Sequence, residues 1–133
     1  MISFEPLEKA IGKLKEGWER YRRESSDLQV RDGLIQRFEF TYELSHKTLR
    51  RYLAETAANP AEIQTMSFAD LIRTAGEQGL LRGNWPLWRT FREMRARTSH
   101  VYEEEAARGV VARIPDFLEE AEHLLGKLKE RSG

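Results

Sequence analysis

Hydrophobic residues recur every three or four positions along most of the chain, and charged or polar residues fill the positions between them. That spacing places apolar side chains on one face of an α-helix, whereas the alternation typical of a β-strand is almost absent. In the first segment the apolar stripe consists of Phe4, Leu7, Ile11, Leu14, Trp18 and Tyr21. The pattern therefore predicts an all-α protein in which each helix buries one face.

A long second helix is predicted from Leu28 to Thr56. It is preceded by Ser25-Ser26-Asp27, short oxygen-bearing side chains that can cap free backbone N–H groups. Its main stripe comprises Val30, Leu34, Phe38, Thr41, Leu49, Tyr52 and Leu53, and it is widened by Ile35, Phe40, Tyr42 and Leu44. Such a wide apolar face indicates either a central helix or a helix that also carries a partner surface.

The second half of the chain adds one short and two longer helices. Residues 57–65 contain Asn-Pro and have no period, so they are predicted to be a loop. Ser67 and Asp70 resemble a capping box before a short helix, Pro86 fits the first turn of the next, and Pro115 lies near the predicted start of the last. The expected architecture is an up-and-down four-helix bundle with an additional short helix.

Composition narrows the functional classes. A chain of 133 residues is expected to form one domain, spanning residues 1–133. The balance of 22 basic and 22 acidic residues removes the strong positive field typical of nucleic-acid-binding proteins, although local patches stay possible. The absence of cysteine excludes disulfides, thiolate metal sites and cysteine nucleophiles. The charged N-terminus is unlike a signal peptide and no apolar run approaches the ~20 residues of a membrane span, so a cytoplasmic protein is expected.

Signatures of self-sufficient enzymes are missing. The sequence has no glycine-rich phosphate loop, HExxH, GxSxG or calcium-loop pattern. Its histidines, His46, His100 and His123, are too far apart to suggest a local metal cluster. No metal site and no cofactor are therefore predicted.

Residues 91–102 combine core-type spacing with an unusual charge. The side chains that fall along nearly one line of a helix here are Phe91, Arg95, Thr98 and Tyr102. Arg95 is thus aimed at or beside the apolar seam, where a guanidinium is costly unless it is paired or faces a groove.

His100 cannot meet Arg95 within an unbroken helix, because about 140° would separate the two side chains. Either the helix breaks near Ser99, or a second subunit supplies the complementary half of a site. The alternative is that Arg95 reaches water along the core surface, that His100 is a helix-end cation, and that residues 103–105 are a solvated acidic run.

A second charged group decorates the long helix. Its members are Arg31, Arg37, Glu39, Glu43, His46, Lys47, Arg50 and Arg51. Their i,i+4 pairs mix attraction with repulsion, which favours their interpretation as a solvated face.

Two stretches resemble a known family. Residues 31–44, RDGLIQRFEFTYEL, followed by Lys47-Thr48-Leu49, resemble the signature of the bacterial nucleotidyltransferase substrate-binding protein family, part of the HEPN superfamily (higher eukaryote and prokaryote nucleotide-binding domains). Residues 95–102, RARTSHVY, resemble its second signature, in which an Arg, four residues, a His, one residue and a Tyr follow each other. The resemblance extends from about Phe4 to Lys129.

The resemblance implies a helical bundle that forms a homodimer or a higher homo-oligomer and is encoded beside a minimal nucleotidyltransferase. In that reading the chain is the enzyme's partner subunit and binds the enzyme and its substrate. The residues assigned to partner or substrate binding are Arg31, Arg37, Glu43 and Arg97.

The same resemblance implies an alternative role as a metal-independent ribonuclease in a toxin–antitoxin pair. Arg95 and His100 would then be the catalytic pair acting on RNA, and the partner would silence them by adding AMP to Tyr102. A histidine can activate a ribose 2′-OH and an arginine can stabilise the phosphorane charge. Ala96 stands where the family usually has a polar residue beside the arginine, which argues against nuclease activity, and His46 stands where Trp is common. A plain helical scaffold with an incidental Arg/His cluster is the third reading.

Overall fold

The computed structural model describes residues 2–132 and is built from helices. Within that range the elements are α1 (Glu5–Arg23), α2 (Leu28–Thr56), α3 (Pro60–Thr65), α4 (Phe68–Glu77), α5 (Trp85–Arg97) and α6 (Glu104–Ser132). A single 3₁₀ turn, Thr98–His100, follows α5, and no strand is found in the part of the chain described. The all-α prediction is confirmed.

Contacts between α1, α2, α5 and α6 define an up-and-down bundle. Lys129, near the end of α6, donates to the Glu8 carboxylate near the start of α1 at 2.7 Å. Arg31 near the start of α2 reaches Glu104 at the start of α6, so these two helices run in the same direction. Taken in chain order, the four helices α1, α2, α5 and α6 therefore alternate in direction, as expected for this architecture.

Four buried aromatic rings form the centre of the core. The ring of Phe117 on α6 lies 5.1 Å from Phe38 on α2 and 5.2 Å from Phe91 on α5, and Trp88 lies 5.3 Å from Phe91, all at nearly perpendicular angles. Edge-to-face packing of this kind is the favoured geometry for buried aromatic pairs. It fixes α5 against α2 and α6, and thereby fixes the position of the segment that follows α5.

Local capping explains where α2 and α4 begin. The Asp27 carboxylate accepts hydrogen bonds from the backbone N–H groups of Gln29 and Val30, at 2.9 and 3.2 Å. The Ser67 hydroxyl accepts one from the N–H of Asp70, at 3.1 Å. The predicted bounds of α2 and the predicted start of α4 are confirmed. Both starts could be read from the sequence because each cap lies within three residues of the groups it binds.

The prediction of a loop over residues 57–65 is wrong, because Pro60–Thr65 form the short helix α3. Pro60 lies in the first turn of the helix, where its missing N–H has no partner to lose, and Ile63 gives the helix one buried side chain. Arg50 donates to the backbone carbonyls of Ile63 and Met66, both at 2.9 Å. These two bonds join α2 to α3 and to its C-cap across 13 and 16 residues, so a local sequence pattern does not reveal them.

The predicted start of the last helix near Pro115 is also wrong. Helix α6 begins at Glu104 and contains Pro115 in its interior. A proline there removes one backbone hydrogen bond at a cost of about 3 kcal/mol. The apolar residues buried before it are Ala107, Val110, Val111 and Ile114. Their burial, at roughly 1.5–3 kcal/mol for each larger side chain, offsets that cost.

Candidate functional site

The segment between α5 and α6 changes direction at Thr98. There the α-helix tightens into the 3₁₀ turn, and an irregular turn over residues 101–103 leads into α6. Thr98 is buried, whereas His100 is exposed and Tyr102 is 79% exposed. The helix therefore breaks beside Ser99, which is one of the two arrangements that the sequence left open.

Arg95 is held by two carboxylates of α2. Its Nε donates to the Glu43 carboxylate at 3.0 Å, and its Nη1 lies 3.8 Å from a Glu39 oxygen. The same Nη1 donates to the Thr98 hydroxyl at 3.2 Å. The side chain is 32% exposed, so the guanidinium is shared between the protein and water. These partners compensate the cost of placing a cation beside the apolar stripe.

The Thr98 hydroxyl ties the 3₁₀ turn to α2. It lies 2.7 Å from a Glu39 carboxylate oxygen and 2.7 Å from the carbonyl oxygen of Arg95, and its single hydrogen serves one of these acceptors. The interpretation of Glu39 and Glu43 as part of a solvated face is wrong, because both face α5. Sequence reasoning missed the contact between Glu39 and Thr98, since the two residues lie 59 positions apart, on different elements.

His100 is placed next to Tyr102. The His100 Nδ1 atom and the Tyr102 hydroxyl oxygen are 3.4 Å apart, and their ring centroids are 6.0 Å apart. Within residues 2–132 no hydrogen bond joins His100 to Arg95. One chain thus pairs the imidazole with an accessible phenol hydroxyl, and leaves the guanidinium with the α2 carboxylates.

Arg31 is buried and fixes the start of α6. Only 8% of the residue is exposed, and its Nη1 donates to both oxygens of Glu104 at 2.8 and 2.9 Å. This hydrogen bonding lowers the pKa of the Glu104 carboxyl, and Arg108 adds a further hydrogen bond at 3.1 Å. Glu104 therefore covers Arg31, which the sequence had assigned to partner or substrate binding. The acidic run had been read as solvated, so this pair was missed.

Arg37 and Arg97 lie apart from this network. Arg37 is exposed on the α1 side of α2, where its Nη1 donates to the carbonyl oxygen of Lys13 at 2.7 Å. Arg97 is exposed, and its Nη1 lies over Gly109 of α6, 3.2 Å from where a Cβ would be. Of the four residues assigned to partner or substrate binding, Glu43 alone contacts Arg95 in the described part of the chain.

A second histidine lies half-buried between α2 and α4. The His46 imidazole packs edge-on against Phe68 at 4.6 Å between ring centroids, and its Nε2 is 3.3 Å from an Arg50 nitrogen. Burial, followed by the positive charge of Arg50, lowers the pKa of His46. Burial also raises the pKa of the neighbouring Tyr42 to about 12. The neutral imidazole is therefore the form that this environment favours.

Over residues 2–132, no group of three or more His, Asp or Glu side chains is arranged to hold a metal ion. The helices in that same range include none that is long and apolar enough to cross a membrane.

Comparisons with known proteins cover nearly the whole chain. The family described as nucleotidyltransferase substrate binding protein like matches residues 2–130. A Haemophilus influenzae protein named probable ribonuclease HepT is 44% identical over 100 residues, which are 75% of this chain and 68% of that protein. A solved Haemophilus influenzae structure, described as the fold of a substrate binding domain of a nucleotidyltransferase, matches with a TM-score of 0.88 and 36% identity over 96% of this chain and 99% of that one. A crystal structure from Thermus thermophilus matches with a TM-score of 0.75 and 34% identity over 92% and 98%.

Proposed function

Because the chain belongs to the nucleotidyltransferase substrate binding protein like family, we propose that it is the partner subunit of a minimal nucleotidyltransferase and offers that enzyme Tyr102 as its substrate. The observation that carries the proposal is the exposure of the Tyr102 side chain, which is 79% accessible beside His100. Contacts from Thr98 to Glu39 and from Glu104 to Arg31 fix the turn on both sides of this hydroxyl.

The reaction needs an accessible oxygen nucleophile and a nearby proton acceptor. The Tyr102 phenol oxygen attacks the α-phosphorus of ATP, the new P–O bond forms, and the bond to pyrophosphate breaks. His100, with Nδ1 3.4 Å from that oxygen, is placed to accept the phenol proton. The partner contributes the nucleotide and its activation, while this chain contributes the acceptor and its position.

Intact-mass spectrometry after incubation with ATP and the nucleotidyltransferase encoded beside this chain tests the proposal. We expect the wild type to gain AMP, and Tyr102→Phe to gain none. Tyr21→Phe, which alters a half-buried tyrosine of α1, is the matched control and should be modified like the wild type. An unchanged wild-type mass under conditions in which the two proteins bind each other would rule out Tyr102 as the substrate.

A metal-independent ribonuclease is the second candidate. It is favoured by the exposed His100 at the 3₁₀ turn and by the relative named probable ribonuclease. His100 would activate a ribose 2′-OH and Arg95 would stabilise the charge that develops on phosphorus. Since the two side chains do not touch within one chain, a second copy would have to bring them to one RNA strand. A nucleotide on Tyr102 would then block the adjacent His100 sterically and by charge.

RNA cleavage by the purified chain in the presence of a chelator tests this candidate. We expect cleavage to be lost in His100→Ala and Arg95→Met and retained in His123→Ala, which alters a half-buried histidine on α6. If the wild type leaves RNA intact, the ribonuclease candidate fails, whereas the proposal for Tyr102 as a nucleotidylation substrate stands or falls by its own mass measurement.

A further inference from the structure

Arg37 is a cation that the fold holds in place without giving it a counter-charge. Its Nη1 donates to the backbone carbonyl oxygen of Lys13 at 2.7 Å, and a Cβ on Gly17 would lie only 3.3 Å from its side chain. Arg37 forms no ion pair with a carboxylate of residues 2–132. Because the carbonyl engages only one nitrogen of the guanidinium, N–H donors remain available to an anion.

A groove of about 660 Å³ between α1 and α2 is bordered by Arg37 and by two lysines of α1, Lys9 and Lys13. None of the described residues that line it is acidic. Lys9 is paired with Glu5 at 3.0 Å, but both side chains are mostly exposed, so that pairing is weak. Lys13 forms no ion pair with any residue between 2 and 132. The groove therefore carries a local positive charge, although the formal net charge of the chain is zero.

The same groove contains an aromatic ring that the core does not use. Phe40 is 63% exposed on α2 and lies about one helical turn from Gln36 and Arg37, which also line the groove. The face of the Phe40 ring can stack on a nucleobase, the Gln36 amide can hydrogen-bond a base edge, and the cations suit phosphates. The volume of the groove lies within the usual range of small-ligand sites, so it has room for a nucleotide.

Basic residues continue along α1 beyond this groove. Arg37 also borders two neighbouring grooves, which share Arg20 and add Lys15 and Arg23. The three grooves together are lined by six basic and three acidic residues, the latter being Glu16, Glu19 and Asp27. The basic surface thus follows α1 from Lys9 to Arg23, a rise of about 21 Å, which is long enough for several nucleotides of an extended strand.

We propose that this α1–α2 surface binds single-stranded nucleic acid, with a base stacked on Phe40 and phosphates held by Arg37 and Lys13. A duplex is disfavoured, because its bases are stacked on each other and cannot reach the Phe40 ring. An acidic protein is disfavoured as well. Among the described residues, Phe40 is the one exposed large apolar side chain on these walls, whereas a stable protein interface needs a cluster of such anchors.

The proposed surface is separate from the candidate site. Arg37 faces α1, whereas Glu39 and Glu43 face α5 and hold Arg95 there. Binding of a strand therefore goes beyond the proposed function, since it requires neither modification of Tyr102 nor cleavage of RNA.

Fluorescence anisotropy with labelled oligouridylate and oligodeoxythymidylate, titrated at several KCl concentrations, tests the surface and distinguishes RNA from DNA. All proteins carry His100→Ala, so that cleavage cannot shorten the RNA probe. We expect Arg37→Gln and Lys13→Gln each to weaken binding about tenfold. Each should also reduce the slope of log K against log [KCl] by about 0.7, the value for one phosphate contact of a single strand. Phe40→Leu should weaken binding about fivefold or more and leave the slope unchanged, because stacking releases no counterions.

Arg89→Gln is the matched control. Arg89 is a mostly exposed arginine of α5 that lines none of the three grooves, and its substitution removes the same charge. This variant should keep both the affinity and the salt slope of the parent protein. Circular dichroism verifies that each variant stays folded.

The proposal is overturned if neither strand binds, or if Arg37→Gln and Lys13→Gln bind like Arg89→Gln. It is also overturned if Phe40→Leu binds like the parent, or if a duplex or labelled polyglutamate binds as tightly as the single strands. The polyglutamate result would assign the surface to an acidic protein instead. Tyr102→Phe separates this inference from the proposed function, since it should bind the strands normally while accepting no AMP.

Discussion

Arg31 donates through one nitrogen, Nη1, to both carboxylate oxygens of Glu104, and the two residues are 73 positions apart in the sequence. The arginine is buried and the glutamate is half-exposed, so the pair closes the end of the bundle at which Tyr102 emerges. A cation left without its partner in such a place is strongly unfavourable. The pair therefore matters for the fold as well as for the position of Tyr102.

Glu104→Gln is expected to lower the melting temperature, because it removes the carboxylate at 2.8 Å and leaves the Arg31 guanidinium with only the exposed Asp32 carboxylate, 3.9 Å from Nε. Glu105→Gln, the control at an exposed carboxylate, should melt like the wild type. Since the folded protein lowers the pKa of Glu104, this stabilisation is complete above the ordinary carboxyl range and is lost as the pH falls through the lowered pKa. Thermal melts between pH 7 and pH 3 measure it; equal melting of both variants at pH 7 would contradict the assigned role of Glu104.

The Arg95–Glu43 contact is expected to contribute about 0.5–1 kcal/mol, because both side chains are about a third exposed and are screened by water. A double-mutant cycle with Arg95→Met and Glu43→Gln, measured by urea unfolding, gives this coupling energy. Arg89 and Glu93 on the outer face of α5 are 3.7 Å apart and mostly exposed, so their cycle is the control and should give nearly zero. A coupling for Arg95 and Glu43 no larger than that control would show that the carboxylate does not hold the guanidinium.

Stability is expected to fall as the pH drops below about 6.5, the ordinary value for histidine. The folded protein lowers the pKa of His46, so the neutral imidazole stabilises the fold, and this contribution is present above the unfolded pKa and lost as the pH falls through the folded one. Protonation would remove the Nε2 acceptor facing Arg50 and add a charge near Arg92 and Lys47 as well, which Glu43 alone opposes.

His46→Phe should remove most of that dependence between pH 8 and pH 5 while keeping the packing against Phe68. His123→Phe on α6 is the control and should leave the pH dependence as it is. Urea unfolding at each pH measures the free energy. A wild-type stability that is constant over this interval, or a slope that survives in His46→Phe, would contradict the prediction.

Trp88→Ala is expected to destabilise the protein by about 3–5 kcal/mol, since it empties the centre of the aromatic core. Trp88→Phe should cost much less, because the indole Nε1 has no hydrogen-bond partner among residues 2–132 and the change removes no bond. Urea unfolding measures both variants. Similar losses in the two would indicate that a bond to the indole nitrogen, rather than ring volume, sustains the core.

The sequence predicted best those features that depend on residues close together in the chain. The bounds of α2 could be predicted because Asp27 caps its start within three residues, and Ser67 identified α4 in the same way. The loop assigned to residues 57–65 failed because the bond from Arg50 that completes α3 crosses from another helix. The start of α6 failed because Pro115 was weighed more heavily than the apolar stripe before it.

The same distinction between local and long-range features applies to the candidate site. Helical spacing placed Arg95 beside the core and showed that His100 could not meet it in an unbroken helix, which left a break near Ser99 as one of two alternatives. Spacing could not find Glu39 and Thr98 as partners across the bundle, or the burial of Arg31 under Glu104. Charged residues look alike in a sequence, and which of them are solvated is decided by how helices pack.

Both ends of the segment that carries Tyr102 are anchored to α2, Thr98 through Glu39 and Glu104 through Arg31. Two turns of α2 thus fix the position of the Tyr102 hydroxyl, which lies outside that helix. Substitution of Arg31 or Glu39 would therefore shift the Tyr102 hydroxyl, although neither residue is its neighbour in the sequence. In this fold, the position of an exposed turn is determined by the helix that supports it rather than by the residues of the turn itself.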